Sequence, residues 1–212
     1  MLILPPYSGP KAHIEVSDFE VKAAKADSEI GSAMHDMLVT TLIKSNRFSV
    51  VSRQEVSAAL QEQELNNLSV VATPVKPQKS KIKAADLVIS ATISEFEPRP
   101  SGGASGVGGG GGGSSSGILN ALLGVVLSNK THIVLDFRIL DNSTSGVIVA
   151  GRVQGQASDI SGAIMTDAFG DLVLGPKLSA YANTPMEKAI RLAVIEATRF
   201  ISQAIPAQYY KD

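Results

Sequence analysis

The segment SGGASGVGGGGGGSSSG, residues 101–117, holds ten glycines and five serines, and no charged residue occurs from Pro100 to Asn129. A run like this makes a poor helix or strand, because glycine loses more backbone freedom on ordering than any other residue. Its flanks therefore decide the fold. Before it, DLVISATISEF (Asp86 to Phe96) alternates Leu87, Ile89, Ala91 and Ile93 against Val88, Ser90, Thr92, Ser94 and Phe96, the pattern of a strand. After it, THIVLDFRILD sets Ile133, Leu135, Phe137 and Ile139 opposite His132, Asp136 and Arg138, turns through residues 142–146, and returns over Val147 to Val153. That is a β-hairpin. Divided at the glycines, each side would keep an incomplete sheet with uncovered edges. The expectation is one domain over residues 1–212 with a long insertion at about 97–132 and a second at about 152–181.

Elsewhere the apolar period changes. HIEVSDF (His13 to Phe19) reads as a short strand, with Ile14, Val16 and Asp18 against Glu15, Ser17 and Phe19. From Asp27, a helix N-cap, Ile30, Met34, Met37, Leu38, Thr41 and Leu42 recur at helical spacing. Phe48 to Val51 is a short β-rich run, after which Ser52 and Glu55 form a capping box for a second helix burying Val56, Ala59 and Leu60. The last helix has the sharpest start: Thr184 as N-cap, Pro185 at the first helical position and Glu187 three residues after the cap. Its stripe of Ala189, Ile190, Ala193, Val194, Ala197, Ile201, Ala204 and Ile205 is rich in alanine, which predicts close packing on a sheet, and Pro206 stops it. Together these give an α+β fold, a mainly antiparallel sheet with helices packed on it.

Composition excludes several function classes. A net charge of −1 leaves no basic field for nucleic acid. The chain has no cysteine, so thiol nucleophiles, thiolate metal sites and disulfides are all absent. Leu2, Ile3 and Leu4 run straight into Pro5 and Pro6, too short for a signal-peptide core, so the chain is expected either to start in the cytoplasm or to have lost an export signal. Ala121 to Leu127 is far short of the roughly 20 apolar residues a membrane helix needs, and the last helix is interrupted by Arg191, Glu196, Arg199 and Gln203. A membrane crossing would have to use strands.

No catalytic or cofactor signature is present. Gly106, Gly108 and Gly111 fit G-x-G-x-x-G only because the surrounding run is nearly all glycine, and no G-K-[ST] follows. His13, His35 and His132 lie on separate elements without metal-ligand spacing. Glu95 and Glu97 share one strand, whereas hydrolytic carboxylate pairs converge across a cleft. Lys76, Lys79, Lys81 and Lys83 read as a solvated loop. The expectation is a protein that is not an enzyme and has no cofactor and no metal.

The order of pieces is informative: GPKAHIEVSDFEV, then IGSAMHDMLVTTLIKSNRFSVVSRQEVSAALQEQEL, ADLVISATISEFEP, the glycine tract, THIVLDFRILDNSTSGVIVAGRVQG and YANTPMEKAIRLAVIEATRFI. From about Gly9 to Ile205 it resembles the curli production assembly/transport component family, the CsgG/HfaB-like proteins. That resemblance implies an anticodon-binding-like periplasmic domain, a homo-oligomeric ring, lipid anchoring to the outer membrane, and two insertions that become β-hairpins of a shared barrel. The channel would export protein subunits, with periplasmic accessory proteins as further partners and no nucleic acid. The alternative is a soluble or lipid-anchored periplasmic oligomeric scaffold without a pore. The loop Glu20 to Ala26 corresponds to the family's constriction, where Lys22 and Lys25, repeated round a ring, would favour anions. Val107, Leu119, Leu122, Leu123, Ile160, Ile164 and Phe169 would be the membrane or interface side chains of the insertions. Two departures stand out: the family's lipidated N-terminal cysteine is absent, and residues 101–117 offer no large side chain except Val107. Gly117 to Leu127 also fits a short amphipathic helix.

Overall fold

The computed structural model describes residues 4–52, 57, 84–98, 131–157 and 176–211. Its elements run β1 (Lys11–Val16), β2 (Glu20–Val21), α1 (Ser28–Lys44), β3 (Phe48–Val50), β4 (Leu87–Glu97), β5 (Thr131–Asp141), β6 (Val147–Ala157), a 3-10 segment (Pro176–Tyr181), α2 (Pro185–Ala204), a second 3-10 turn (Ala207–Tyr209) and β7 (Tyr210–Lys211).

One seven-stranded sheet takes the order β3-β1-β4-β5-β6, with β2 on β4 and β7 on β1. The three eleven-residue strands β4, β5 and β6 form an antiparallel meander. The short strands bring parallel pairing: β1 lies parallel to β3 and to β4, and β2 parallel to β4. Helix α1 supplies the crossover that a parallel β1–β3 pair requires. The fold is thus α+β, antiparallel through its long strands, and the sheet is open.

Both helices cover one face, α2 over β5 and β6 and α1 beside it toward β3. Ile30, Met34, Met37, Leu38, Thr41 and Leu42 of α1 are all buried, and Asp27 caps the helix by accepting the Ile30 N–H at 2.9 Å. On α2, Thr184 accepts the Glu187 N–H at 3.4 Å, while Glu187 reaches back to the Asn183 N–H at 2.6 Å. The helix therefore starts where its capping residues place it.

Three sequence expectations need correction. The alternation of β1 ends at Val16: Asp18 is exposed and Phe19 turns into the core. The hairpin's return strand continues past Val153 to Ala157. Phe96, expected with Val88 and Thr92, joins the opposite face. A bulge moves the register from Ile93 opposite Leu135 to Glu95 opposite Val134, so Phe96 stands opposite Ile133 and is 1% exposed. Most of the helix expected after Ser52 and most of both insertions, with Val107, Leu119, Leu122, Leu123, Ile160, Ile164 and Phe169, lie outside the described residues.

Candidate functional site

The strand register brings four distant points of the chain to one end of the sheet. Strand β4 ends at Glu97, opposite His132 near the start of β5, and Thr131 at that start stands opposite Ala157, the last residue of β6. The first insertion therefore leaves and returns beside the point from which the second departs. The chain returns from the second through the Pro176–Tyr181 segment, whose Tyr181 ring packs edge-on against Phe96 with centroids 5.6 Å apart. All four stalks share this pole.

The loop from β2 to α1 lies against the same pole. The N–H groups of Lys22 and Ala23 both donate to the carbonyl of Ile93, at 3.0 and 3.1 Å, which ties the loop to the bulged end of β4. Lys25 reaches the Glu97 carboxylate at the base of the first insertion. Lys22 pairs with Glu20 at 3.2 Å. Lys25 therefore sits at the stalk of the first insertion, and both expected loop cations have a carboxylate partner. Periodicity could not foresee this, since Lys25 and Glu97 are 72 positions apart in sequence.

Further along the open face His132 meets Glu95 at 3.1 Å, and Arg152 clamps Asp136 through Nε–Oδ1 at 2.6 Å and an Nη2–Oδ2 contact at 3.2 Å. The Arg152 guanidinium holds the Asp136 carboxyl below the usual carboxylate range against the opposing effect of burial, with help from the Ser94 hydroxyl. Opposite charges thus pair with one another from the pole along the open face. Glu95 and Glu97 are engaged by His132 and Lys25 respectively. Among the described residues no group of three or more metal-ligating side chains comes together, and no helix is long and apolar enough to cross a membrane.

The family model for the curli production assembly/transport component CsgG matches residues 8–210. A protein of Neisseria meningitidis serogroup B that carries the name "Putative lipoprotein" is 24% identical over 206 residues, covering 94% of this chain and 78% of its own. Two solved structures share the fold at a TM-score of 0.51 each. One, from Chlamydia trachomatis, is 12% identical and covers 92% of this chain and 97% of its own. The other, from Xanthomonas campestris, is 10% identical and covers 95% and 90%.

Proposed function

The chain belongs to the curli production assembly/transport component family, and from that premise we propose that it is a ring-forming, outer-membrane-associated component that passes or organises extracellular protein subunits. In this reading one domain carries two insertions, about residues 97–132 and 152–181, which join those of neighbouring copies as hairpins of a common barrel. The observation that carries it is the shared pole: both insertions spring from the ends of adjacent strands, so a ring of copies would project all of them from one side. A lone hairpin in lipid leaves backbone groups unpaired, whereas a closed ring of hairpins leaves none. A spanning strand needs about 9–11 residues, so residues 98–130 are long enough for a hairpin, and residues 158–175 become so when the first strand of the hairpin continues from β6.

Lys22 and Lys25 then sit at the mouth of the passage, partnered by Glu20 and Glu97. Val107, Leu119, Leu122, Leu123, Ile160, Ile164 and Phe169 face lipid or the adjoining copy. The Neisserian relative's description as a lipoprotein supports a periplasmic, membrane-attached location. The partners are other copies, exported subunits and periplasmic accessory proteins; no catalytic role is assigned. The test combines electron microscopy of detergent-purified protein with planar-bilayer conductance. Rings that conduct, and that lose insertion when residues 102–116 are deleted, support the channel; protein that neither conducts nor needs detergent overturns it.

The second reading is an oligomeric periplasmic scaffold, soluble or lipid-anchored, without a pore. It is favoured by the poverty of residues 101–117, where Val107 is the one large side chain and no aromatic girdle exists. For a scaffold, deleting 102–116 leaves folding and assembly intact.

A further inference from the structure

One row of side chains crosses the open face of the sheet from edge to edge. Glu20 of β2 stands opposite Thr92 of β4, Thr92 opposite Asp136 of β5, and Asp136 opposite Arg152 of β6. Directly opposite residues share a face, so the four lie on one surface. The row starts with a carboxylate at one edge and ends with a guanidinium at the other, and the two side chains are 60% and 62% exposed. Among the described residues no strand pairs beyond β2 or beyond β6. Strand β6 is eleven residues long, and its first two, Val147 and Ile148, are 54% and 38% exposed. A long uncovered edge with apolar residues is a template for another chain.

The unused atoms are complementary. Thr92 and Lys22 both engage Oε2 of Glu20, which leaves Oε1 without a partner among the described residues. Arg152 spends Nε and Nη2 on Asp136, which leaves Nη1. A guanidinium carries five N–H donors in a planar fork, so it can hold Asp136 and donate to a second carboxylate at the same time.

We propose that a second copy of this chain docks on the β6 edge, its β2 edge alongside, so that Arg152 of one copy meets Glu20 of the next. The proposal deepens the assembly reading above and rests on it. Because the acid and the base occupy opposite edges, the contact is head-to-tail; repeated, it gives a ring where the rotation between copies closes and an open filament where it does not, and the assembly reading above takes the ring. A two-fold β6-to-β6 contact centred on Arg152, the middle residue of the strand, would instead bring Arg152 against Arg152, which like-charge repulsion disfavours.

The absence of cysteine allows a clean test in the full chain. A Glu20→Cys/Arg152→Cys double variant, treated with a short bis-maleimide, should give a ladder of covalent oligomers up to the ring size seen by mass photometry, and neither single variant should. In parallel, Arg152→Glu and Glu20→Arg should each raise the concentration for half-assembly about 10-fold or more, and the combined reversal should restore it. Thermal unfolding of each variant separates lost assembly from lost folding. A wild-type chain that stays monomeric at every concentration overturns the assembly reading and this contact with it. A wild-type ring that shows no ladder, and is indifferent to both charge reversals, overturns this contact alone. Cross-linking of Arg152→Cys by itself into dimers overturns it in favour of a two-fold contact.

Discussion

Replacing Gly155 with alanine tests how closely α2 sits on the edge strand. A Cβ at position 155 would lie 1.9 Å from the Ala189 carbonyl oxygen and 2.7 Å from the Ala193 nitrogen. Both are backbone atoms of α2 and cannot rotate away. Non-bonded heavy atoms settle at roughly 3.5 Å, so the helix would have to lift by about 1.5 Å. That opens the seat of Ala189, Ala193 and Ala197, each 0% exposed. Overpacking a core costs about 1–3 kcal/mol where side chains can yield. A rigid backbone puts Gly155→Ala at the upper end, about 3 kcal/mol, which in a chain of this size lowers Tm by roughly 6–12 °C. Gly151→Ala is the internal comparison. Its Cβ would meet the Phe200 ring, with Cζ at 2.2 Å, but that ring ends a half-buried side chain that can swing aside. Its cost should stay near 1 kcal/mol, or roughly 2–4 °C. Thermal unfolding followed by far-UV circular dichroism measures both. A Gly155→Ala protein that unfolds with the wild type, or a Gly151→Ala protein that is the worse of the two, refutes the packing argument.

Thr184→Ala removes the N-cap oxygen of α2 and should cost about 1 kcal/mol; guanidinium titration should show a lower midpoint at an unchanged slope, and an unchanged midpoint counts against the cap. Phe96→Ala empties a site 1% exposed at the base of the first insertion and should cost about 3–5 kcal/mol in the same titration; a loss below about 1 kcal/mol would mean that the bulge does not hold Phe96 in the core. The Asp141 carboxyl is held far below its usual range, first by the Ser143 hydroxyl and next by the Tyr209 hydroxyl, which donates to it at 2.6 Å. A depressed folded-state value stabilises above the unfolded carboxyl value of about 3.9, and that stabilisation is lost as pH falls through the folded value. Tyr209→Phe should therefore be less stable than wild type at neutral pH, with the gap narrowing below about pH 4; a gap independent of pH refutes the contribution.

How much of this was legible in the sequence depends on the range over which each feature is encoded. Helices α1 and α2 and the cores of β4 and β5 follow from period and caps, because their signals lie within a few residues of one another. The alanines of α2 announced a close approach, but its partner Gly155 gave no sign, since a glycine in a strand says nothing of which backbone lies over it. Alternation alone sets Phe96 on the wrong face for a related reason: the bulge at Ser94 and Glu95 shows itself only against the unbroken register of β5. The parallel pairing of β1 with β3 and β4 is likewise hidden in runs of six and three residues, too short to carry an alternation that distinguishes parallel from antiparallel neighbours.

The pole and the charged row carry this furthest. Lys22 and Lys25 could be chosen from the sequence as loop cations, yet what they do depends on Glu20 and Glu97, and the second of these arrives through register rather than proximity. The same register that gathers the insertions at one end also lays Glu20, Thr92, Asp136 and Arg152 across the sheet, so the two features are not independent. Any slip of β4 against β5 by one residue would move Asp136 off the open face and turn Phe137 out of the core at the same stroke. The buried face, with Ile89, Ile93, Leu135, Phe137 and Ile139 each at most 1% exposed, therefore sets the alignment of the polar face. An assembly built on that polar face inherits its precision from hydrophobic packing on the other side of the same strands.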